Sequence, residues 1–499
     1  IHRRGYPIMT IEHRDVIIVG AGLSGIGAAY HLAKKCPDRS YLLLESRQVM
    51  GGTWDLFRYP GIRSDSDMHT LGYSFKPWQG AKAIADGPSI LDYVRETATE
   101  NTIDTHIRYS HRLISASWST EQSIWTLEIS QSNAEKTVRM SCNFLYMCAG
   151  YYSYTQPHDP KFPELEAFEG KVVHPQFWPE DLDYQDKRVV VIGSGATAMT
   201  LVPAMAGTAK QVTMLQRSPT YVLTRPSEDW FANGLRKLLP ETWAYALTRF
   251  RNTLFQEWLY KQARSHPERA KTVLIGQVRK QLGDNYDVDK HFTPSYNPWT
   301  QRLCLVPDND LFEAINSGNA DVVTDHIKRF TKTGIELTSG THLLADIVVS
   351  ATGLELQVMG GAQFTVDGHA VDFAALTTYK GLMVSEVPNM VSTFGYVNAS
   401  WTLRADLISE WVCRALNHMR DTQTSQVVPL VPEQLTGMPT KDWIADFPAG
   451  YLKRGMHLQP KQGDRAPWVN SQDFRKERAL FNQPIEADSA LHFSSPSNP

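Results

Sequence analysis

Short runs of apolar residues, each ended by glycine or a charge, punctuate this chain and mark buried parallel strands. Residues 15–19, D-V-I-I-V, are β-branched and run straight into glycine. G-A-G-L-S-G follows at 20–25, after which apolar positions keep helical spacing to about Lys35. Y-L-L-L-E, ending at Glu45, reads as a second strand and completes a strand–helix–strand unit. The same order recurs in K-R-V-V-V-I-G-S-G-A-T-A at 187–198, with a helix next and the strand Q-V-T-M-L-Q-R ending at Arg217. Alternation in W-T-L-E-I (125–129) and the run F-L-Y-M-C-A-G (144–150) close a first unit near 150. From 228 to 288, Leu, Lys, Arg, Gln and Trp recur at helical spacing. Strand signals resume at A-D-V-V-T (320–324) and A-D-I-V-V-S-A-T-G (345–353).

These patterns predict an α/β fold with two Rossmann-like dinucleotide-binding domains, the second interrupted by a helical insertion. The expected boundaries are 9–150 for the first part of the first domain and 151–227 for a linker and the first part of the second. The insertion is expected at 228–300 and the rest of the second domain at 301–379. Residues 380–485 are expected to return to the first domain, and 486–499, ending S-S-P-S-N-P, to form a disordered tail.

Composition narrows the function classes. A formal net charge of -3 over 499 residues argues against a nucleic-acid partner or a polybasic membrane surface. Cys36, Cys142, Cys148, Cys304 and Cys413 are scattered and odd in number, with no C-x-x-C pair. Neither a disulfide frame nor a metal site is expected, and reduced thiols point to the cytoplasm. No run of about 18 apolar residues predicts an integral membrane segment. The opening I-H-R-R-G-Y-P-I lacks the apolar length of a signal peptide, and Met9 is a candidate start. Oligomeric state is left open.

The glycine motifs carry the first chemistry. In the first, Gly20 permits a tight turn, Gly22 lets a pyrophosphate approach the backbone and Gly25 allows close helix–strand packing. Ser24 sits at the helix start, whose partial positive charge faces the phosphates. Glu45, at the end of the second strand, suits ribose hydroxyls. The second motif uses Gly193, Ser194, Gly195, Ala196, Thr197 and Ala198, but Arg217 stands where the first has Glu45. A carboxylate repels a 2′-phosphate, whereas a guanidinium binds it; Ser218 adds a hydroxyl. The second site is therefore expected to prefer NADP. Two dinucleotides on one chain imply hydride transfer, with NADPH reducing FAD.

Between the motifs lies F-E-G-K-V-V-H-P-Q-F-W-P, residues 168–179. Phe168, Gly170, His174, Trp178 and Pro179 resemble the fingerprint of type I Baeyer–Villiger monooxygenases. G-G-T-W (51–54), R-Y-P-G-I-R-S-D-S-D-M (58–68), L-Q-R-S-P-T-Y (215–221), Y-N-P-W-T-Q-R-L-C-L-V-P (296–307) and G-Y-V-N-A-S-W-T-L (395–403) resemble the subgroup of bacterial ethionamide-activating monooxygenases. The resemblance implies FAD and NADPH as cofactors, with dioxygen and a small ketone or thioether as substrates. In that family a 4a-peroxyflavin attacks a ketone and an ester or lactone leaves. N- or S-oxygenating flavin-containing monooxygenases, which usually carry Phe or Tyr at the position of Trp178, are the alternative. By motif position Arg302 is the cation that protects the anionic oxygen, with Asp65 as its ionic partner. Gly52, Thr53, Trp54, Asp55, Leu56, Arg63 and Ser64 resemble residues around the flavin, and Leu113 faces the adenine. Many relatives have lysine before this arginine; here it is Gln301, which shifts the burden of coenzyme choice to Arg217. His174, followed by Pro175, reads as a hinge rather than a base, and Trp401 as a pocket-lining residue.

Overall fold

Two parallel sheets carry the two glycine motifs. The computed structural model describes residues 11–131, 137–301, 303–445 and 450–496. In the first sheet, Glu12–Val19 runs parallel to Tyr41–Leu44 on one side and to Thr137–Met147 on the other. Val16, Ile17 and Ile18 are fully buried, because a central strand is covered on both faces. The helix Leu23–Lys35 begins directly after the glycine turn and packs against the later helix Trp401–Asp421. Ile26, Leu32, Ile408, Trp411 and Leu416 belong to one core there. Thr137–Met147 also pairs antiparallel with Ile124–Gln131, which pairs with His111–Ser119.

The second sheet has five parallel strands in the order Ala320–Thr324, Gln211–Gln216, Arg188–Ile192, Ile347–Ser350, Lys171–Val173. The chain leaves Arg188–Ile192 through the helix Ala196–Ala206 to one neighbour and returns much later on its other side. That reversal opens a crevice at the strand ends.

The insertion folds as the helices Trp230–Leu238, Glu241–Ser265 and Pro267–Leu282. Its long middle helix docks on residues 67–73, which follow the first motif. The Tyr245 hydroxyl donates to the Tyr73 carbonyl at 2.9 Å. The Arg249 guanidinium donates to the carbonyls of His69, Thr70 and Gly72 at 3.0, 3.1 and 2.8 Å. The insertion thus ties the two units together.

Two expected boundaries are corrected. The chain rejoins the first sheet before 380, because Gln363–Val366 pairs parallel with Ser115–Trp118. Phe364 is buried there edge-on to Trp125, with ring centroids 6.1 Å apart. The expected disordered tail also contains structure: Leu491–Ser494 pairs antiparallel with Gln426–Pro429, and Leu491 and Ile485 are buried. A short apolar edge strand inside a polar ending gives little sequence signal. All five cysteines are buried, and none is in a disulfide. Among the described residues, no helix is long and apolar enough to cross a membrane, and no cluster of His, Cys, Asp and Glu is arranged to hold a metal ion.

Candidate active site

Both glycine loops open on one cavity of about 1030 Å³. In the first loop, Gly20 has φ +107°, and a Cβ there would lie 2.4 Å from the Cys148 carbonyl oxygen. A Cβ on Gly25 would lie 1.9 Å from the carbonyl oxygen of Gly20, so the helix starts flush against the turn. Glu45 braces the loop, accepting from the Ala21 N–H at 2.8 Å and the Arg47 N–H at 2.9 Å. Burial pushes its carboxyl pKa up, against the opposing pull of the amides of Arg47 and Ala21.

The second loop repeats the turn, with Gly193 at φ +136° against the Ala351 carbonyl. Gly195 differs: a Cβ there would meet nothing within 4 Å. That open backbone is what a close-lying pyrophosphate requires, so the loop fits a dinucleotide. Ser194 Oγ donates to the Ser218 carbonyl at 3.1 Å, linking the glycine turn to the strand end. Arg217 and Ser218 are exposed at the cavity rim, and no ion pair among the described residues engages Arg217.

Gly20, Gly22, Ser24, Glu45, Gly52, Thr53, Trp54, Arg63, Ser64, Asp65 and Leu113 line the same cavity as Gly193, Ser194, Gly195, Ala196, Thr197, Arg217 and Ser218. Gly25, Asp55, Leu56 and Ala198 are not on its wall. Gly25 and Ala198 are packed within helices, and the Leu56 N–H closes a turn onto the Gly52 carbonyl at 3.0 Å. Asp55, expected among the residues around the flavin, has a fully buried carboxylate that pairs with Arg47 at 2.6 Å, Arg58 at 3.1 Å and Arg95 at 3.5 Å. An isolated buried charge is costly, so it gathers cations and holds Arg47 against the cavity. The guanidinium of Arg63 reaches the cavity but is committed to an ion pair with Asp310. Arg302 lies outside the described residues; Gln301 and Leu303 on either side of it line the cavity.

The fingerprint segment divides its work. Phe168 is buried edge-on to Phe330, with centroids 6.0 Å apart. A Cβ on Gly170 would lie 2.5 Å from the Asp346 carbonyl oxygen, so glycine lets this edge strand approach. Trp178 packs on the second core. His174 and Pro175 reach the cavity. The His174 Nδ1 accepts from the Gln176 N–H at 3.2 Å, and the Gln176 amide donates to the Ser153 carbonyl at 2.6 Å. Burial lowers the pKa of His174, favouring the neutral ring.

Several wall residues escaped sequence reasoning. Cys148–Gly150 and Ala351–Gly353 follow the strands on the far side of each switch point, and both line the cavity. The strand-then-glycine punctuation in A-G and A-T-G was their signal. The aromatic wall had no local signal, because it comes from distant segments. Tyr151 stacks on Trp401 at 5.5 Å and 24°, Phe394 lies 5.3 Å from Trp401, and the Trp401 N–H donates to Ser24 Oγ at 2.8 Å. Trp401 itself lines the cavity as expected.

A cavity shared by two dinucleotide loops defines a class of oxidoreductase, and comparison with known proteins agrees. Residues 83–359 match the model of flavin-binding monooxygenase-like proteins, and 18–84 match an NAD(P)-binding Rossmann-like domain. The chain is 52% identical over 484 residues to the FAD-containing monooxygenase EthA of Mycobacterium tuberculosis, covering 97% of this chain and 98% of that protein. Among solved structures, oxidized steroid monooxygenase bound to NADP superposes with TM-score 0.77 at 23% identity, covering 97% of this chain and 100% of that one. An open structure of cyclohexanone monooxygenase gives TM-score 0.77 at 18% identity with the same coverage. The chain belongs to the flavin-binding monooxygenase family.

Proposed function

We propose that this protein is an NADPH- and dioxygen-dependent monooxygenase that holds FAD on the first glycine loop and inserts oxygen beside a ketone carbonyl, giving an ester or lactone. Oxygen transfer to thioether or thioamide sulfur is a further activity of the same site. The observation that carries the reading is the single cavity onto which the Glu45-bearing and Arg217-bearing loops both open. Bound FAD, once reduced by NADPH, supplies the activation of dioxygen.

The chain's own residues position and protect this chemistry. Gly20, Gly22 and Ser24 at the helix start receive the FAD pyrophosphate, and Glu45 accepts from ribose hydroxyls with its remaining lone pairs. Gly195 and Ala196 receive the NADP pyrophosphate, and Arg217 with Ser218 reads its 2′-phosphate. Arg302 is assigned as the fixed cation, oriented by Asp65. Arginine suits the role because it does not give up its proton, and a dry site strengthens its field. Tyr151, Phe394 and Trp401 form an apolar wall that excludes water from the reacting centre. Five buried cysteines outside any disulfide favour the cytoplasm.

NADPH consumption and product identification with linear, cyclic and aromatic ketones and with thioethers test this. Ketone-dependent ester is expected. Sulfoxide from thioethers with no ester from any ketone would assign the site to the S-oxygenating alternative. Arg302→Ala is expected to keep FAD and NADPH oxidation while ester formation falls about two to three orders of magnitude and hydrogen peroxide accumulates. Wild-type ester yield in that variant removes Arg302 from the mechanism.

A further inference from the structure

Among the described residues, nothing covers one apolar face of the insertion. Among the described residues, nine of the sixteen exposed large hydrophobic side chains lie between Trp230 and Val273. On the long helix Glu241–Ser265, Trp243, Leu247, Phe250 and Trp258 recur at i, i+4, i+7 and i+15, which places them on one stripe. Trp243 is 67% exposed, Phe250 63% and Trp258 55%. The opposite stripe is buried through Tyr245, Thr248, Asn252 and Ala263, and Gln256 and Leu259 from that side line the cavity. The preceding helix, packed against this one, adds Trp230 and Leu238, each 81% exposed.

Charge says what covers this face. From Trp230 to Leu282 the chain carries ten Lys and Arg against three Glu, a net +7 within a protein of net -3, although Arg249, Arg251 and Arg279 pair with Asp406, Asp229 and Asp289 outside that span. The remainder is therefore at -10. Lys237, Lys261 and Arg264 are exposed at helix ends beside the apolar stripe, Lys261 also pairing with Glu257 one turn earlier. A second copy of the chain fits poorly, because a two-fold interface apposes the same surface and would bring two such basic patches together. An anionic lipid surface complements both features: Trp and Phe settle at the headgroup boundary while Lys and Arg meet the phosphates.

We propose that the insertion docks the protein peripherally on an anionic bilayer, with the Trp243–Trp258 stripe facing the lipid. The helix that touches lipid with one stripe walls the cavity with the other, so docking sets the site beside a reservoir of apolar molecules. Sedimentation of the full-length, FAD-loaded protein with phosphatidylcholine vesicles, with and without phosphatidylglycerol, reads this without turnover, so its outcome is separable from the ketone assay. Wild type is expected to pellet with the anionic vesicles, less so as salt rises. A variant combining Trp243→Ser, Phe250→Ser and Trp258→Ser should keep FAD and bind anionic vesicles at least about tenfold more weakly. A second variant, Lys237→Glu with Lys261→Glu and Arg264→Glu, keeps the aromatic anchors and should lose about a hundredfold on anionic vesicles only. The proposal is overturned if wild type does not pellet or if both variants pellet like wild type. It is equally overturned if sedimentation velocity shows wild-type dimers that the aromatic variant dissolves, which assigns the face to a second copy.

Discussion

At the residue scale, the two nucleotide loops differ by one charge, Glu45 against Arg217, and coenzyme choice should follow it. Arg217→Ala is expected to cost NADPH roughly 1.5–3 kcal/mol of binding while leaving NADH nearly unchanged. Steady-state KM and kcat with both coenzymes check this, and equal losses would remove the assignment. His174 sits at the cavity wall with its Nδ1 already accepting from the Gln176 amide, whose side chain holds the Ser153 carbonyl. We read it as a hinge between the linker and the loop at 151–155. His174→Ala is expected to lower kcat with FAD bound and NADPH oxidation still measurable; normal NADPH affinity with no flavin reduction would instead indicate a direct chemical role. His174 and its fingerprint neighbours were legible from spacing. The ion pairs of Asp55 were not legible, because a local motif does not reveal that three arginines close over it.

At the element scale, the glycines of a single motif type answer to different demands, and substitution separates them. Gly25→Ala drives a methyl into the Gly20 carbonyl at 1.9 Å, inside a packed helix start. A loss of about 1–3 kcal/mol or more in stability is expected, with FAD lost on purification. Gly195→Ala meets open space, so its melting temperature should match wild type. Its methyl instead occupies the approach of the pyrophosphate, and KM for NADPH is expected to rise about tenfold. Thermal melts with and without NADP, together with flavin absorbance, distinguish the two. Both strand–glycine–helix units were legible because a buried parallel strand is a continuous apolar run. The late strands at 363–366 and 491–494 were not, since short edge strands owe their state to their partners.

At the scale of the whole molecule, one buried and two half-buried histidines set a pH window. His69, His174 and His291 all have pKa values lowered, in each case mainly by burial. The unfolded chain therefore binds protons first, and the stability these groups contribute is present above about pH 6.5 and is lost as pH falls through their folded pKa values. The melting temperature is expected to fall as pH drops below about 6.5. Replacing His69 and His291 together by Gln should flatten that slope, and an unchanged slope would place the titrating groups elsewhere.

The sequence by itself determined the two nucleotide units, their order, the helical insertion and the charge that separates the two loops, because each is a local pattern of polarity, glycine and spacing. Tertiary structure alone decided that both loops open on one cavity, that Tyr151, Phe394 and Trp401 form its wall, and that Arg63 is taken by Asp310. It also decided that the insertion clamps residues 67–73 while leaving its opposite stripe bare. Helical periodicity shows that a helix has two faces. Which face is covered depends on what the rest of the chain brings to it.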